Sequence, residues 1–197
     1  MERRRELLVA ARDAFLDRGF VATTVDDIVA AAGVARGTFY LYFSDKRAVF
    51  EALVDDFHAQ IGDRVQSIVL EPGAPTAIVQ LRANVRRVVE FALEEPALVK
   101  VTLFDASGVD PAIDRRLRRF YEGLQALIGE SLEVGQALGW VRPGDRRMMV
   151  SIGLGGFKEV LGDAVAGRVS TDPEAVTEEI MRFLVGGLLS EELRGKQ

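Results

Sequence analysis

The sequence predicts an all-α protein of about nine helices, with a three-helix head over residues 1–47 and a six-helix body over residues 48–197. Three observations lead there. Apolar side chains recur three or four positions apart in segment after segment, the period of a helix with one buried side. Glycine and proline stand at the joints between segments, as in Gly33, Pro72-Gly73, Asp110-Pro111, Pro143-Gly144 and Asp172-Pro173, where they end one helix or open the next. The chain has 197 residues and 48% hydrophobic side chains, enough to bury a substantial core.

The first helix is expected from about Arg3 to Asp17, with Leu7, Leu8, Ala11, Ala14 and Phe15 as its apolar stripe and Gly19-Phe20 as its end. Arg3, Arg4 and Arg5 read either as a solvated helix start or as a basic arm able to reach phosphate or a minor groove. Val25, Ile28, Val29 and Ala32 then share one helical face. Thr24 can cap that helix through its hydroxyl, and Asp27, three residues on, approximates the reciprocal partner of a capping box. Gly33 supplies the left-handed backbone that stops a helix and turns the chain. A short third helix follows through Arg36-Gly37-Thr38-Phe39-Tyr40-Leu41-Tyr42. Two helices joined by a tight glycine turn are either an ordinary helical hairpin or a helix-turn-helix, whose second helix can enter a DNA major groove.

The surrounding residues favour the second reading. Ala11, Ala14 and Phe15, Gly19-Phe20, Thr23-Thr24-Val25, Asp27-Ile28, Ala31 with Gly33-Val34, Gly37-Thr38-Phe39-Tyr40, and Tyr42-Phe43 with Lys46 stand together at fixed spacing. On them the stretch from Arg5 to Phe50 resembles the DNA-binding segment of the TetR family of bacterial transcriptional regulators. The resemblance covers about the first quarter of the chain. It implies that residues from about Ala35 to Leu41 form the recognition helix.

Side-chain chemistry then assigns roles. Arg36 can place a bidentate fork on guanine, worth about 1–3 kcal/mol of discrimination. Gly37 lets the helix start approach the duplex, and Thr38 can meet a thymine methyl or a phosphate. Tyr40 and Tyr42 can give hydroxyls to phosphates, Lys46 adds charge at the next helix start, and Thr23 and Thr24 would sit near the backbone. Phe39 and Phe43 read as core. Two features depart from the family pattern. Ala35 stands where the family usually has a capping side chain, a loss of about 1 kcal/mol. Arg36 occupies a position that varies within the family, so its base preference rests on its own chemistry.

Beyond Phe43, Ser44 or Asp45 can cap a fourth helix to about Ser67, with Val49, Phe50, Leu53, Val54, Phe57, Ile61, Val65 and Ile68 at helical spacing. Glu71-Pro72-Gly73-Ala74-Pro75 breaks the chain, a fifth helix runs from about Thr76 to Glu94, and a short sixth covers roughly Ala97 to Asp105 before Ser107-Gly108. Asp110-Pro111 opens a long seventh helix to about Leu138. Its Arg115, Arg116, Arg118 and Arg119 read as a solvated face, or as one inward arginine meeting an anionic ligand. Pro143-Gly144-Asp145 starts an eighth helix to about Val165, and Asp172-Pro173 a ninth, from about Glu174 to Leu193.

The last two helices carry glycines inside apolar faces: Gly153, Gly155 and Gly156 in one, Gly186 and Gly187 in the other. Each costs a helix about 1 kcal/mol relative to alanine, so the cluster calls for a close backbone approach. Packing within the chain is one account of it. The other is a dimer interface of Met149, Ile152, Gly156, Phe157, Val160, Ile180, Phe183, Leu184, Gly187 and Leu188.

Composition bounds the chemistry. The chain has no cysteine, which excludes disulfides and thiolate metal sites and suits a reducing cytoplasm. No apolar run of membrane-spanning length occurs, and neither a signal peptide nor a membrane partner is expected. One histidine, no phosphate-binding glycine loop and no metal-ligand spacing leave little for catalysis, and acidic pairs such as Glu94-Glu95, Glu178-Glu179 and Glu191-Glu192 point apart on a helix. No enzyme activity, cofactor or metal is expected. Net charge is −5, yet residues 1–47 carry eight basic against seven acidic side chains, so the acidity lies in the body.

The expected protein is therefore a homodimeric, sequence-specific regulator that binds a palindromic operator in double-stranded DNA. The family resemblance implies a repressor whose body takes up a small molecule between the fourth and seventh helices. Candidate lining residues are Phe57, His58, Ile61, Phe91, Thr102, Leu103, Phe104, Tyr121, Leu124 and Trp140, mostly apolar, which suits a hydrophobic or aromatic effector. His58 also reads as a satisfied residue at the edge of the apolar stripe. The alternative is a DNA-binding protein without an effector, controlled by a protein partner or acting architecturally.

Overall fold

A computed structural model describes residues 2–104, 108 and 110–189. Among these residues the fold is all-α: α1 (Glu2–Ala22), α2 (Val25–Ala32), α3 (Arg36–Tyr42), α4 (Lys46–Arg64), α5 (Ala77–Glu94), α6 (Pro96–Val99), α7 (Pro111–Ala137), α8 (Arg146–Val165) and α9 (Pro173–Leu188). α6 widens into a π-helical turn over Lys100–Phe104, and Val141 and Leu189 make an isolated antiparallel bridge. The expected continuation of the sixth helix to Asp105, its end at Ser107, and the run of the ninth to Leu193 fall outside the described residues.

The punctuation read from the sequence forms as expected. α1 is broken at Gly19, whose φ of 75° and ψ of 163° suit only a residue without a side chain. Asp145 caps α8 by accepting from Met148 N, and Asp172 caps α9 by accepting from Ala175 N. α4 ends at Arg64, short of the expected Ser67.

The chain separates into two compact units, Met1–Gln60 with Glu95–Arg118, and Ile61–Glu94 with Arg119–Gln197. The division falls within α4 and α7, away from residue 47. The physical reason in the first unit is that α4 completes its core: Val49, Phe50, Leu53, Val54 and Phe57 are buried alongside Leu7, Ala11, Phe15, Ile28 and Phe39. The rings of Phe15, Phe20 and Phe50 meet at centroid separations of 4.9–5.5 Å. α1 also lies against α6 and the π-helical turn, and Arg12 pairs with Glu95 at 2.8 Å. Arg116 is an inward arginine of its cluster, but it meets acids of its own chain, Asp55 at 2.7 Å and Glu51 at 3.1 Å.

In the second unit α5 packs on α8 and α9. Val85, Val88, Val89 and Ala92 are buried on α5, and Val176, Ile180 and Met181 on α9. A further apolar cluster joins Leu132, Met149 and Val150 with Ile128, Val141, Leu154 and Leu188. Arg82 bridges Glu174 and Glu178, and Arg86 pairs with Glu90 and Glu174.

Candidate nucleic-acid interface

The turn between α2 and α3 is built locally. Thr24 Oγ1 accepts from Asp27 N at 3.1 Å, while the Asp27 carboxylate accepts from Thr24 N at 2.8 Å and from its hydroxyl at 2.7 Å. Both halves of the capping box are thus made. These hydrogen bonds from Thr24, with the nearby Arg18 guanidinium, hold the Asp27 carboxyl below the usual carboxylate range. Gly33 takes φ 64° and ψ 32°, its N–H donating to Ala30 O, while Val34 N reaches back to Val29 O.

α3 starts without a side-chain cap, since Ala35 offers only its carbonyl, which accepts from Thr38 N at 2.9 Å. The helix is held from below. Phe39 is fully buried and Phe43 nearly so, with ring centroids 5.9 Å apart. Arg36, Gly37, Tyr40 and Leu41 face solvent, positions i, i+1, i+4 and i+5 of one helical face. Thr38 is half-buried beside that face and Tyr42 exposed at its end. Leu41 is 81% exposed, an apolar side chain on the face expected to read DNA. The helical period counted from Arg36 is the signal that puts it there.

Two expected contacts turn inward. Thr23 is buried, and its hydroxyl donates to Gly19 O at 2.8 Å and Ala14 O at 3.1 Å, so it is part of the break in α1 and not available to a phosphate. Lys46 Nζ donates to Phe20 O at 2.6 Å, Thr23 O at 2.6 Å and Val21 O at 3.2 Å, and lies 4.5 Å from the Phe20 ring centroid. Its three donors close the carbonyls left open where α1 ends, and partial burial pushes its pKa down. Arg3 and Arg4 belong to α1, Arg3 paired with Glu6 and Arg4 stacked 5.3 Å from the Phe43 centroid.

The effector candidates divide evenly between the units. Phe57, His58, Thr102, Leu103 and Phe104 lie in the first; Ile61, Phe91, Tyr121, Leu124 and Trp140 lie in the second. Thr102 is fully buried and donates to Leu98 O at 2.6 Å, and Phe57 is buried with its ring 6.0 Å from His58. Phe91 is buried under the Arg64 guanidinium, 4.3 Å from its centroid. Trp140 sits in the turn after α7 and is 38% exposed, which removes it from any enclosed lining. The Tyr121 hydroxyl is buried and has no hydrogen-bond partner among the described residues; burial and the nearby Glu159 push its pKa up. A separate groove of about 350 Å³ between α7 and α8 is lined by Gln125, Gly129, Glu133, Arg146, Arg147 and Val150, none of them a candidate.

His58 has a consequence for pH. Burial first, opposed by Asp55 and reinforced by Arg116, lowers its pKa to about 4. The unfolded chain takes up the proton near pH 6.5, the folded chain near pH 4, so stability is complete above the first value and falls as pH descends between them. After discounting for the part of the ring that solvent screens, the loss is on the order of 2 kcal/mol. His58→Gln should flatten urea-unfolding stability between pH 6.5 and 4; an undiminished slope would place the titrating group elsewhere.

The ten dimer candidates also sort. Ile152, Gly156, Phe183 and Gly187 are exposed, and Phe157, Val160, Leu184 and Leu188 are half-buried. Met149 and Ile180 are a correction: both are about 6% exposed and belong to this chain's own core, because the apolar arcs of α8 and α9 are broad enough to serve two neighbours. Met148, Gly155 and Gly186 join the exposed stripe instead. A Cβ built at Gly155, Gly156, Gly186 or Gly187 would meet nothing within 4 Å, and one at Gly153 would touch Leu184 Cδ2 at an ordinary 3.7 Å. Packing among the described residues therefore does not demand these glycines.

Comparison with known proteins agrees with the head and the fold. Residues 7–53 match the model of the bacterial regulatory proteins of the tetR family. The HTH-type transcriptional regulator YdgC of Bacillus subtilis (strain 168), itself uncharacterized, is 31% identical over 191 residues, covering 96% of this chain and 94% of YdgC. Two solved structures share the fold. NalD, the secondary repressor of the MexAB-OprM multidrug efflux pump in Pseudomonas aeruginosa, has a TM-score of 0.78 at 19% identity, covering 96% of this chain and 98% of NalD. The transcriptional regulator FadR of Bacillus subtilis, solved with stearoyl-CoA, has a TM-score of 0.73 at 21% identity, covering 93% of this chain and 98% of FadR. With a capped helix-turn-helix, an exposed face on α3, and a relative of this identity over nearly its whole length, the chain belongs to the tetR family of bacterial transcriptional regulators, which bind DNA through that motif.

Proposed function

We propose that the protein is a homodimeric repressor that occupies a palindromic operator and leaves it when an apolar or aromatic small molecule binds. Residues 1–47 supply the DNA contacts, through Arg36, Gly37, Thr38, Tyr40, Tyr42 and the neighbouring Leu41, with Thr24 near the backbone. Residues 48–197 supply dimerisation and effector binding.

The observation that carries this reading is the exposed stripe of Met148, Ile152, Gly155 and Gly156 on α8 and Phe183, Gly186 and Gly187 on α9. Glycines that no contact among the described residues requires fit a close approach of a second copy, and a two-fold pair presents two reading helices to two half-sites. An effector is supported by the buried Tyr121 hydroxyl, which has no partner among the described residues, a lack worth about 1–3 kcal/mol that a ligand acceptor would relieve. The repressor named for NalD and the acyl-CoA in FadR point the same way. Whatever binds must favour one spacing of the two heads, or it shifts nothing.

Selection of bound sites from random DNA by the purified protein is expected to return a palindrome of two half-sites. A single unrepeated half-site would sink the dimeric reading. Addition of apolar and aromatic compounds to the protein on the selected site should then release it; a site held against all of them would favour control by a protein partner.

A further inference from the structure

We propose that Asp26 is a specificity-determining residue: its carboxylate holds Arg36 in position for a base and keeps it off the phosphates. The inference rests on α3 being the reading helix. Asp26 lies in the first turn of α2, where an acid is favoured by the free amides, yet the cap there is already complete in Thr24 and Asp27, and Asp27 also takes Arg18. Among the described residues the partner of Asp26 is Arg36 alone. Arg36 Nη1 donates to both carboxylate oxygens, at 2.8 and 3.0 Å.

The remainder of the guanidinium is arranged around that anchor. Nη2 donates to Tyr40 Oη at 3.4 Å, and the guanidinium carbon lies 5.9 Å from the Tyr40 ring centroid. Nη1 is thus engaged by the two Asp26 oxygens and Nη2 by Tyr40. The Nε–H and the Nη2–H beside it stand on the side away from Nη1, and Nε–H has no acceptor among the described residues. Those two lie on one edge of the guanidinium, the fork that meets guanine O6 and N7 side by side.

A carboxylate on a DNA-facing surface repels phosphate, so Asp26 lowers affinity for DNA of any sequence. What it returns is orientation. An unrestrained arginine has several rotatable bonds and a phosphate within reach at every register, whereas one anchored at Nη1 offers a single edge in a single direction. Removing the anchor should therefore move two quantities in opposite directions: discrimination falls while non-specific affinity rises. Loss of stability would lower both together.

The test is site selection, followed by binding measurements on the selected site and on unrelated DNA, for the intact protein and for Arg36→Ala, Asp26→Asn and Asp26→Glu. Thermal melts confirm that each variant is folded; both side chains are exposed. The intact protein should prefer guanine at one position of each half-site, and Arg36→Ala should erase that preference. Asp26→Asn should reduce it at the same position by about fivefold, while binding unrelated DNA about twofold more tightly. Asp26→Glu, which keeps the charge, should recover most of the preference. If Arg36→Ala erases the preference and Asp26→Asn leaves it intact, Asp26 has no positioning role and the proposal fails alone. If Arg36→Ala changes nothing, Arg36 does not read a base, and that part of the functional reading falls together with the proposal.

Discussion

Phe183→Glu is expected to turn the protein into monomers in sedimentation and to lower operator affinity by about 100-fold or more, since a monomer brings one head to a two-half-site operator. Phe183 is 66% exposed on α9, so the substitution leaves the chain's own core untouched and the monomer should melt as a folded protein. In a two-fold interface the change acts twice. Each carboxylate would have to leave water for an apolar surface of Ile152, Met148 and bare glycine backbone, at several kcal/mol per charge. Nearby acids do not help: Glu159 and Glu179 are exposed on the same helices, and Arg182 is already paired with Glu179. A dimer that persists in Phe183→Glu would move the interface to another face.

Lys46→Ala is expected to destabilise the first unit by on the order of 2 kcal/mol, the scale of hydrogen bonds to a charged group. The ammonium is shared by Phe20 O, Val21 O and Thr23 O and rests on the Phe20 ring, which itself packs on Phe15 and Phe50. Without it, three carbonyls at the end of α1 lose a donor at the point where α1 hands over to α2. Operator binding should weaken only as far as the head unfolds. The dependence of binding on salt should keep its slope, because Lys46 is not neutralising a phosphate. An unchanged melting temperature with a slope shallower by about one would restore the phosphate contact and overturn the structural role.

These two residues mark how far the sequence carries. The Thr24–Asp27 capping box, the left-handed turn at Gly33, the uncapped start of α3 at Ala35, and the starts of α8 and α9 beside Asp145 and Asp172 are all legible, because each rests on groups within a few residues of one another. Phe39 and Phe43, which read as core, are both buried. Thr23 and Lys46 suit a phosphate by residue type alone. Their partners, Ala14 and Gly19 for one and Phe20, Val21 and Thr23 for the other, are brought to them by the break in α1 and by the way α4 starts. Asp26 was likewise silent, being ten residues from Arg36 along the chain and 2.8 Å away in space.

The same division runs through the body. Glycines inside apolar helices announced a close approach, but a broad apolar arc does not say which part faces home. The cluster around Leu132 took Met149 into the chain's own core, Ile180 is buried on α9 where α5 packs, and Ile152 and Phe183 are left outside. By itself, then, the sequence determined the all-α class, the capped start of α2 and the glycine turn into α3, all set by local propensity and short-range hydrogen bonds. The tertiary structure decided which cations face solvent, which are used up on backbone carbonyls, and which apolar surface stays exposed, because those outcomes depend on groups far apart in the chain.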